Sequence, residues 1–193
     1  MDVTKVLTNF WIDMLTQRTF LGGRVESIDG RAETYDTVST GYDIAELIFF
    51  KYYPLKTTDV IADVGCGKGR VFNYLLYKGL KNRMIGYEIN MDVAEKTKKN
   101  LLCYQNVTID CGNIFDNFPK DVNVFYLFNP FKTAMMQDFK ANILKLRDKN
   151  PVILYYNPTC LEVFDDPQFN YELIEVPILF FGFPYKLAII RLA

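Results

Sequence analysis

An α/β fold organised around a mostly parallel sheet is predicted by three features of this sequence. From residue 59 onward, short apolar runs alternate with helix-like stretches, the pattern of a parallel sheet covered by helices. The first of these runs passes directly into a glycine-rich bend, Asp63-Val64-Gly65-Cys66-Gly67-Lys68-Gly69. The chain closes with two apolar runs, 171–181 and 186–192, joined by a turn holding Gly182 and Pro184. Such a pair reads as an antiparallel hairpin that finishes one edge of the sheet.

The elements follow in order. Residues 2–20 set Val3, Val6, Leu7, Phe10, Trp11, Met14 and Leu15 at helical spacing until Gly22-Gly23 breaks the pattern. The polar stretch 22–36 reads as a loop, and 42–53 repeats apolar residues with a 3.6 period until Pro54 stops it. Strands are predicted at 60–64, 84–88, 107–111, 122–128 and 152–156, with helices near 68–79, 91–105 and 133–148. With no internal repeat and no linker, residues 1–193 read as one domain, a helical cap over 1–56 and a sheet core over 57–193. Right-handed crossovers bring the carboxyl ends of the parallel strands to one shared edge.

Composition narrows the chemistry. Half of the 193 residues are hydrophobic, enough for a core without metal or disulfides. The 22 Lys and Arg nearly balance the 23 Asp and Glu for a net charge of -1, so the sequence does not support a nucleic-acid partner. Histidine is absent, which excludes Ser-His-Asp and Cys-His triads and histidine metal sites. Cys66, Cys103, Cys111 and Cys160 match no zinc spacing, so no metal is expected, and they read as buried reduced thiols. Asp2, Lys5 and Asp13 interrupt the first stretch, and no uncharged apolar segment is long enough to span a bilayer. Neither a signal peptide nor a membrane partner is therefore expected, and the expected location is the cytoplasm.

The glycine bend falls where a strand passes into a helix, the edge at which doubly wound folds bind ligands. Glu88 ends the second strand, where a carboxylate can accept both hydroxyls of an adenosine ribose. The third glycine arrives one residue earlier than in the usual dinucleotide loop, and Asp63 precedes the first. A carboxylate there repels a diphosphate and attracts ammonium and sulfonium charges.

At D-V-G-C-G-K-G-R and Glu88 the chain resembles the class I, Rossmann-like S-adenosylmethionine (SAM)-dependent methyltransferases, over about residues 35–193. The resemblance implies a three-layer sandwich whose seven-stranded sheet has the order 3-2-1-4-5-7-6. It also implies that Asp63, Gly65, Cys66, Gly67 and Gly69 line the methionine and ribose end of the cofactor SAM, with Glu88 and Ile89 at the ribose side. Gly112-Asn113 stands in place of the family's Gly-Asp-like pair, so Asn113 and Ile114 are candidates for the adenine. Alternation turns Asp110 and Cys111 to opposite faces, so register decides whether Asp110 reaches the same place. Tyr35 and Thr40 lie in a region resembling the segment that folds over the methionine tail, and hydroxyl bonds that anchor a loop are the other reading of both.

Methyl transfer from a sulfonium is an in-line displacement that requires positioning and exclusion of water more than strong acid-base groups. Asn129-Pro130-Phe131 follows the fourth strand and resembles the Asn/Asp-Pro-Pro-Tyr/Phe signature of methyltransferases acting on planar nitrogens, without its second proline. These three are the catalytic candidates, Asn129 also bordering the cofactor, and the alternative is a strand-ending turn with a packed ring. A second pair, Asn157-Pro158, ends the fifth strand after Tyr155-Tyr156, so Asn157 and Tyr156 are candidates for the acceptor side. Phe180, Phe181, Phe183 and Tyr185 form a cluster that reads as core, as a wall of the acceptor site or as a homodimer contact. The expected function is transfer of a methyl group from SAM to an unidentified acceptor, a small molecule or protein side chain. The rival readings are a non-catalytic SAM-binding regulator and an NAD(P)-dependent oxidoreductase.

Overall fold

A computed structural model of the chain describes residues 3–21, 39–177 and 185–193. Helix α1 (Val3–Thr16) and the short α2 (Tyr42–Glu46) precede the sheet. Strands β1 (Ile61–Val64), β2 (Met84–Glu88), β3 (Val107–Cys111), β4 (Val124–Phe128) and β5 (Val152–Tyr156) alternate with α3 (Arg70–Tyr77), α4 (Met91–Leu101) and α5 (Thr133–Leu144). Strands β6 (Phe169–Glu175) and β7 (Lys186–Leu192) complete seven strands in the order β3-β2-β1-β4-β5-β7-β6, in agreement with the expected order. β1 to β5 are parallel, and β7 runs antiparallel between β5 and β6.

The central strands are continuous apolar runs because helices cover both faces, which removes the alternation of a half-exposed strand. All of β1, β2 and β5 is buried. One face carries Ile61, Met84, Tyr126 and Leu154 against Ile48, Phe49, Phe72 and Leu101. The other carries Val64, Phe125, Leu127 and Ile153 against Met136, Phe139 and Ile143 of α5. Edge strand β6 exposes Asn170, Tyr171, Glu172 and Leu173, with the acidic side chains that discourage further strand pairing.

Several expectations need correction. The 42–53 segment changes from α-helix to a π-helical stretch over Leu47–Tyr52, where Tyr53 N–H donates to the Ile48 carbonyl at 2.9 Å. The wider turn buries Ile48 and Phe49 together while Phe50 sets its ring edge-on to Tyr74. Of the four cysteines, Cys66 and Cys160 are buried, Cys111 is half-buried and Cys103 is exposed just beyond α4. The loop expected at 22–36, with Tyr35, and the residues Phe180, Phe181 and Phe183 lie outside the described residues. No described helix is long and apolar enough to cross a membrane.

The two edges of the sheet differ. At the amino ends, Asn82 donates to the carbonyls of Lys56 and Asp59, and Asn123 joins the Asp59 carboxylate at 2.9 Å, closing that edge with side-chain bonds. The carboxyl ends of β1, β2 and β4 instead finish in turns around the glycine bend. Gly86, in the middle of β2, is the packing point beneath that bend. A Cβ there would stand 2.7 Å from both Cys66 Sγ and the Phe72 ring. Gly86→Ala is expected to destabilise the fold by about 1–3 kcal/mol in urea unfolding with an unchanged slope.

Candidate functional site

The glycine bend is built by backbone bonds across strands. The N–H groups of Gly65 and Cys66 both donate to the Tyr87 carbonyl, at 2.8 and 2.9 Å, and Gly69 N–H donates to the Cys66 carbonyl at 2.8 Å. This path needs positive φ at Gly65 (78°), Gly67 (52°) and Gly69 (70°), a region that side chains disfavour. The Cys66 side chain turns down into the core over Gly86, and burial pushes its thiol well above its ordinary value, so it is no nucleophile at neutral pH. Gly69 serves close packing, since a Cβ there would lie 2.9 Å from Thr97 and 3.1 Å from Leu101 on α4.

Glu88 holds the bend to the end of β2. Its Oε2 accepts the Gly67 N–H at 2.8 Å and its Oε1 accepts the Asn90 N–H at 2.9 Å. Thr97 adds a hydroxyl to the Gly67 carbonyl at 2.9 Å, and Gln17, just past α1, donates to the carbonyls of Lys68 and Gly69 at 3.1 and 3.4 Å. Neither Gln17 nor Thr97 carries a sequence signal, because both act through backbone carbonyls distant in the chain.

Asp63 and Glu88 face the same side of the sheet, Asp63 standing opposite Gly86 in the β1–β2 register. Burial first, and then the Glu88 charge, push the Asp63 carboxyl up to about 8. Burial also raises Glu88, opposed by the N–H groups of Asn90 and Gly67. Two buried carboxyl groups beside the glycine bend make a place that gains most from a ligand carrying positive charge. Tyr126, opposite Asp63 on β4, meets the Thr40 hydroxyl at 2.7 Å, so buried Thr40 is tied to the sheet beside Asp63.

On the β3 side, Glu88 pairs with Cys111 and Tyr87 with Asp110, which turns Asp110 to the face away from Glu88. Asn113 accepts the Phe115 N–H at 3.1 Å as the cap of a short 3₁₀ turn over Ile114–Asn117. The Ile114 side chain is in the core, so the part of Ile114 left to meet an adenine is its backbone. Ile89 is exposed directly after Glu88.

The Asn129-Pro130-Phe131 turn comes beside the bend: a Cβ on Gly65 would lie 3.4 Å from the Pro130 Cβ. Its side chains depart from the expected roles. Asn129 Oδ1 accepts the hydroxyls of Tyr155, at 3.1 Å, and Thr159, and so is occupied by the protein itself. Phe131 is buried, with its ring 5.4 Å from Phe115 and 5.8 Å from Phe139. Asn129 and Asn157 both hold positive φ, 51° and 53°, at the ends of neighbouring strands and ahead of prolines. Asn157 N–H donates to the Lys186 carbonyl at 2.8 Å. On the Asp63 side of the sheet, Phe128, Tyr156 and Tyr185 meet as an aromatic group, with centroids 4.8, 5.5 and 6.1 Å apart.

No protein-family model and no curated protein matches the chain. Solved structures do match it. An RNA methyltransferase from Salinibacter ruber, in complex with S-adenosyl-L-homocysteine, is 17% identical over 80% of this chain and 93% of that one, with a TM-score of 0.58. A methyltransferase from Pyrococcus furiosus is 16% identical over 98% and 96%, with a TM-score of 0.59. A precorrin-6y C5,15-methyltransferase from Geobacter metallireducens is 16% identical over 86% and 97%, with a TM-score of 0.55. The likeness is one of architecture: this chain, with its mostly parallel seven-stranded sheet, has the Rossmann-like fold of those solved structures.

Proposed function

We propose that this protein is a SAM-dependent methyltransferase whose cofactor lies across the carboxyl ends of β1 and β2. The observation that carries this reading is the buried pair Asp63 and Glu88 at the glycine bend. In the free protein Asp63 keeps its proton near neutral pH. A cationic ligand favours release of that proton and gains a full opposing charge, whereas the diphosphate of NAD(P) gains nothing there. SAM supplies an activated methyl group for in-line displacement.

The chain's own residues supply the rest. Asp63 would face the positively charged end, Glu88 would take ribose hydroxyls on its remaining lone pairs, and Ile89 would offer an apolar surface to the base. Thr40, held by Tyr126, would border the methionine side. Phe128, Tyr156 and Tyr185 form the wall on which an acceptor would rest, a small molecule or a protein side chain. With Asn129 Oδ1 already filled, an amino nitrogen would not be recognised by that oxygen.

Titration calorimetry tests the cofactor. S-adenosylhomocysteine should bind and NADH should not, and Glu88→Ala should weaken the former at least about tenfold, or about 1.4 kcal/mol. Binding of NADH alone would sink the proposal. Transfer of labelled methyl from SAM to any acceptor in a panel of small molecules and proteins tests catalysis against a purely binding role.

A further inference from the structure

Helix α1 is inverted in polarity. Its inward face carries Ile12 with Asp13 and Thr16, and Gln17 follows just past its end, all buried. Asp13 accepts the Tyr42 hydroxyl and the Leu21 N–H at 3.0 Å, and lies 3.9 Å from Arg70 Nε. The Tyr42 hydroxyl also takes a bond from Asn73 Nδ2 at 2.6 Å. The polar side of the helix is thus consumed by α2, α3 and the glycine bend.

The outward face is apolar. Leu7 is 52% exposed, Phe10 40%, Trp11 60% and Leu15 67%, with Phe20 at 59% beside them. At about 100° per residue, Leu7, Phe10, Trp11 and Leu15 share one side of the cylinder, opposite Asp13 and Thr16. The Phe10 ring lies 6.3 Å from both Trp11 and Phe20, so the patch is already ordered by its own contacts. A contiguous patch of this kind is uncommon on a protein that works alone.

Three features point to what covers it. Along the helix from residue 7 to 16 the sole charged side chain is Asp13, which is buried, and exposed Arg18 follows past the helix end. Leu7, Phe10, Trp11 and Leu15 therefore offer no charge to pair with a polynucleotide or a charged peptide, and none to repel the same four side chains of a second copy. Leu7 and Leu15 stand four residues either side of Trp11, so an antiparallel twofold contact can set each copy's Leu7 against Leu15 of the partner subunit. The exposed parts of the five side chains come to roughly 500 Å² per copy. Two copies face to face reach about the 1,000 Å² that a specific interface needs.

We propose that the outer face of α1 is a twofold interface between two copies of this chain. Trp11 sits at the axis, and Leu7 packs against Leu15 of the partner subunit. The interface lies on the far side of the helix from the residues that hold the glycine bend, so pairing leaves the candidate site open.

Sedimentation velocity on the full chain should give twice the mass of one chain, dissociating on dilution. The double variant Trp11→Lys with Leu15→Lys should sediment as a monomer with an unchanged far-UV spectrum. As an independent measure, Trp11→Cys in a Cys103→Ser background should give a covalent dimer with a short bis-maleimide. Tyr77→Cys, exposed on α3, should give none in that background. A wild-type monomer at every concentration, or a dimer that survives the double lysine variant, would overturn the proposal. So would a monomer that floats with phosphatidylcholine vesicles, which would make the covering partner a lipid surface.

Discussion

Asp63→Asn is expected to make the free protein more stable at alkaline pH while weakening the proposed binding of SAM by at least about tenfold. The carboxyl is buried beside Glu88 and holds its proton to about 8, against 3.8 for the ordinary group. A carboxyl raised by folding contributes stability that is complete below its unfolded value and declines as pH rises toward the folded one. The wild type should therefore lose stability between about pH 4 and pH 8, by no more than about 1.4 kcal/mol per pH unit, and then level off. Asparagine occupies the same space with nothing to ionise, so its melting temperature should fall less over that range.

Binding should show the opposite sign. A cationic ligand favours the ionised carboxyl, so SAM affinity of the wild type should rise with pH up to about 8 and then flatten, with proton release on binding. Calorimetry in two buffers of different ionisation enthalpy reads that proton directly. S-adenosylhomocysteine lacks the sulfonium charge and should lose less than SAM in the variant. Parallel pH profiles for wild type and Asp63→Asn would show that another group governs both effects.

Asn129→Ala is expected to cost about 2–4 kcal/mol in folding stability, together with turnover. Tyr155 is fully buried, and its hydroxyl loses its acceptor when the amide is removed. The left-handed backbone at 51° also suits alanine poorly. Asn129→Gly keeps the backbone freedom and removes the acceptor, so it should recover only part of the loss. Asn129→Asp keeps an acceptor oxygen for Tyr155 and Thr159 and should lie nearest to wild type in melting temperature. A residue acting solely on a methyl acceptor would behave otherwise, with Asn129→Ala stable and slow.

The contrast between Asn129 and Asp63 shows where sequence reasoning reaches. Asp63 stands next to glycines that it needs locally, so its place at a strand end is written into a few consecutive residues. Asn129 has the same local signature as a substrate-facing asparagine. Its oxygen is taken instead by Tyr155 and Thr159, which arrive from β5 and the turn beyond it. Asn113 repeats the lesson on a smaller scale, since its side chain caps the turn that follows it. Phe131 and Ile114 look available in a linear reading, yet both complete the core under α5.

By itself the sequence determined the succession of strands and helices, the position of the glycine bend and the acid at the end of β2. Each of these follows from short-range rules: a strand covered on both faces must be an apolar run, and a sharp bend needs glycine. Tertiary structure alone decided that Asp63 and Glu88 share one buried place, that the Asn129 oxygen is spent inside the fold, and that α1 turns its apolar side outward. Those outcomes depend on which distant residue fills each hydrogen bond and covers each surface, and a side chain's neighbours across the fold are not encoded in the residues beside it.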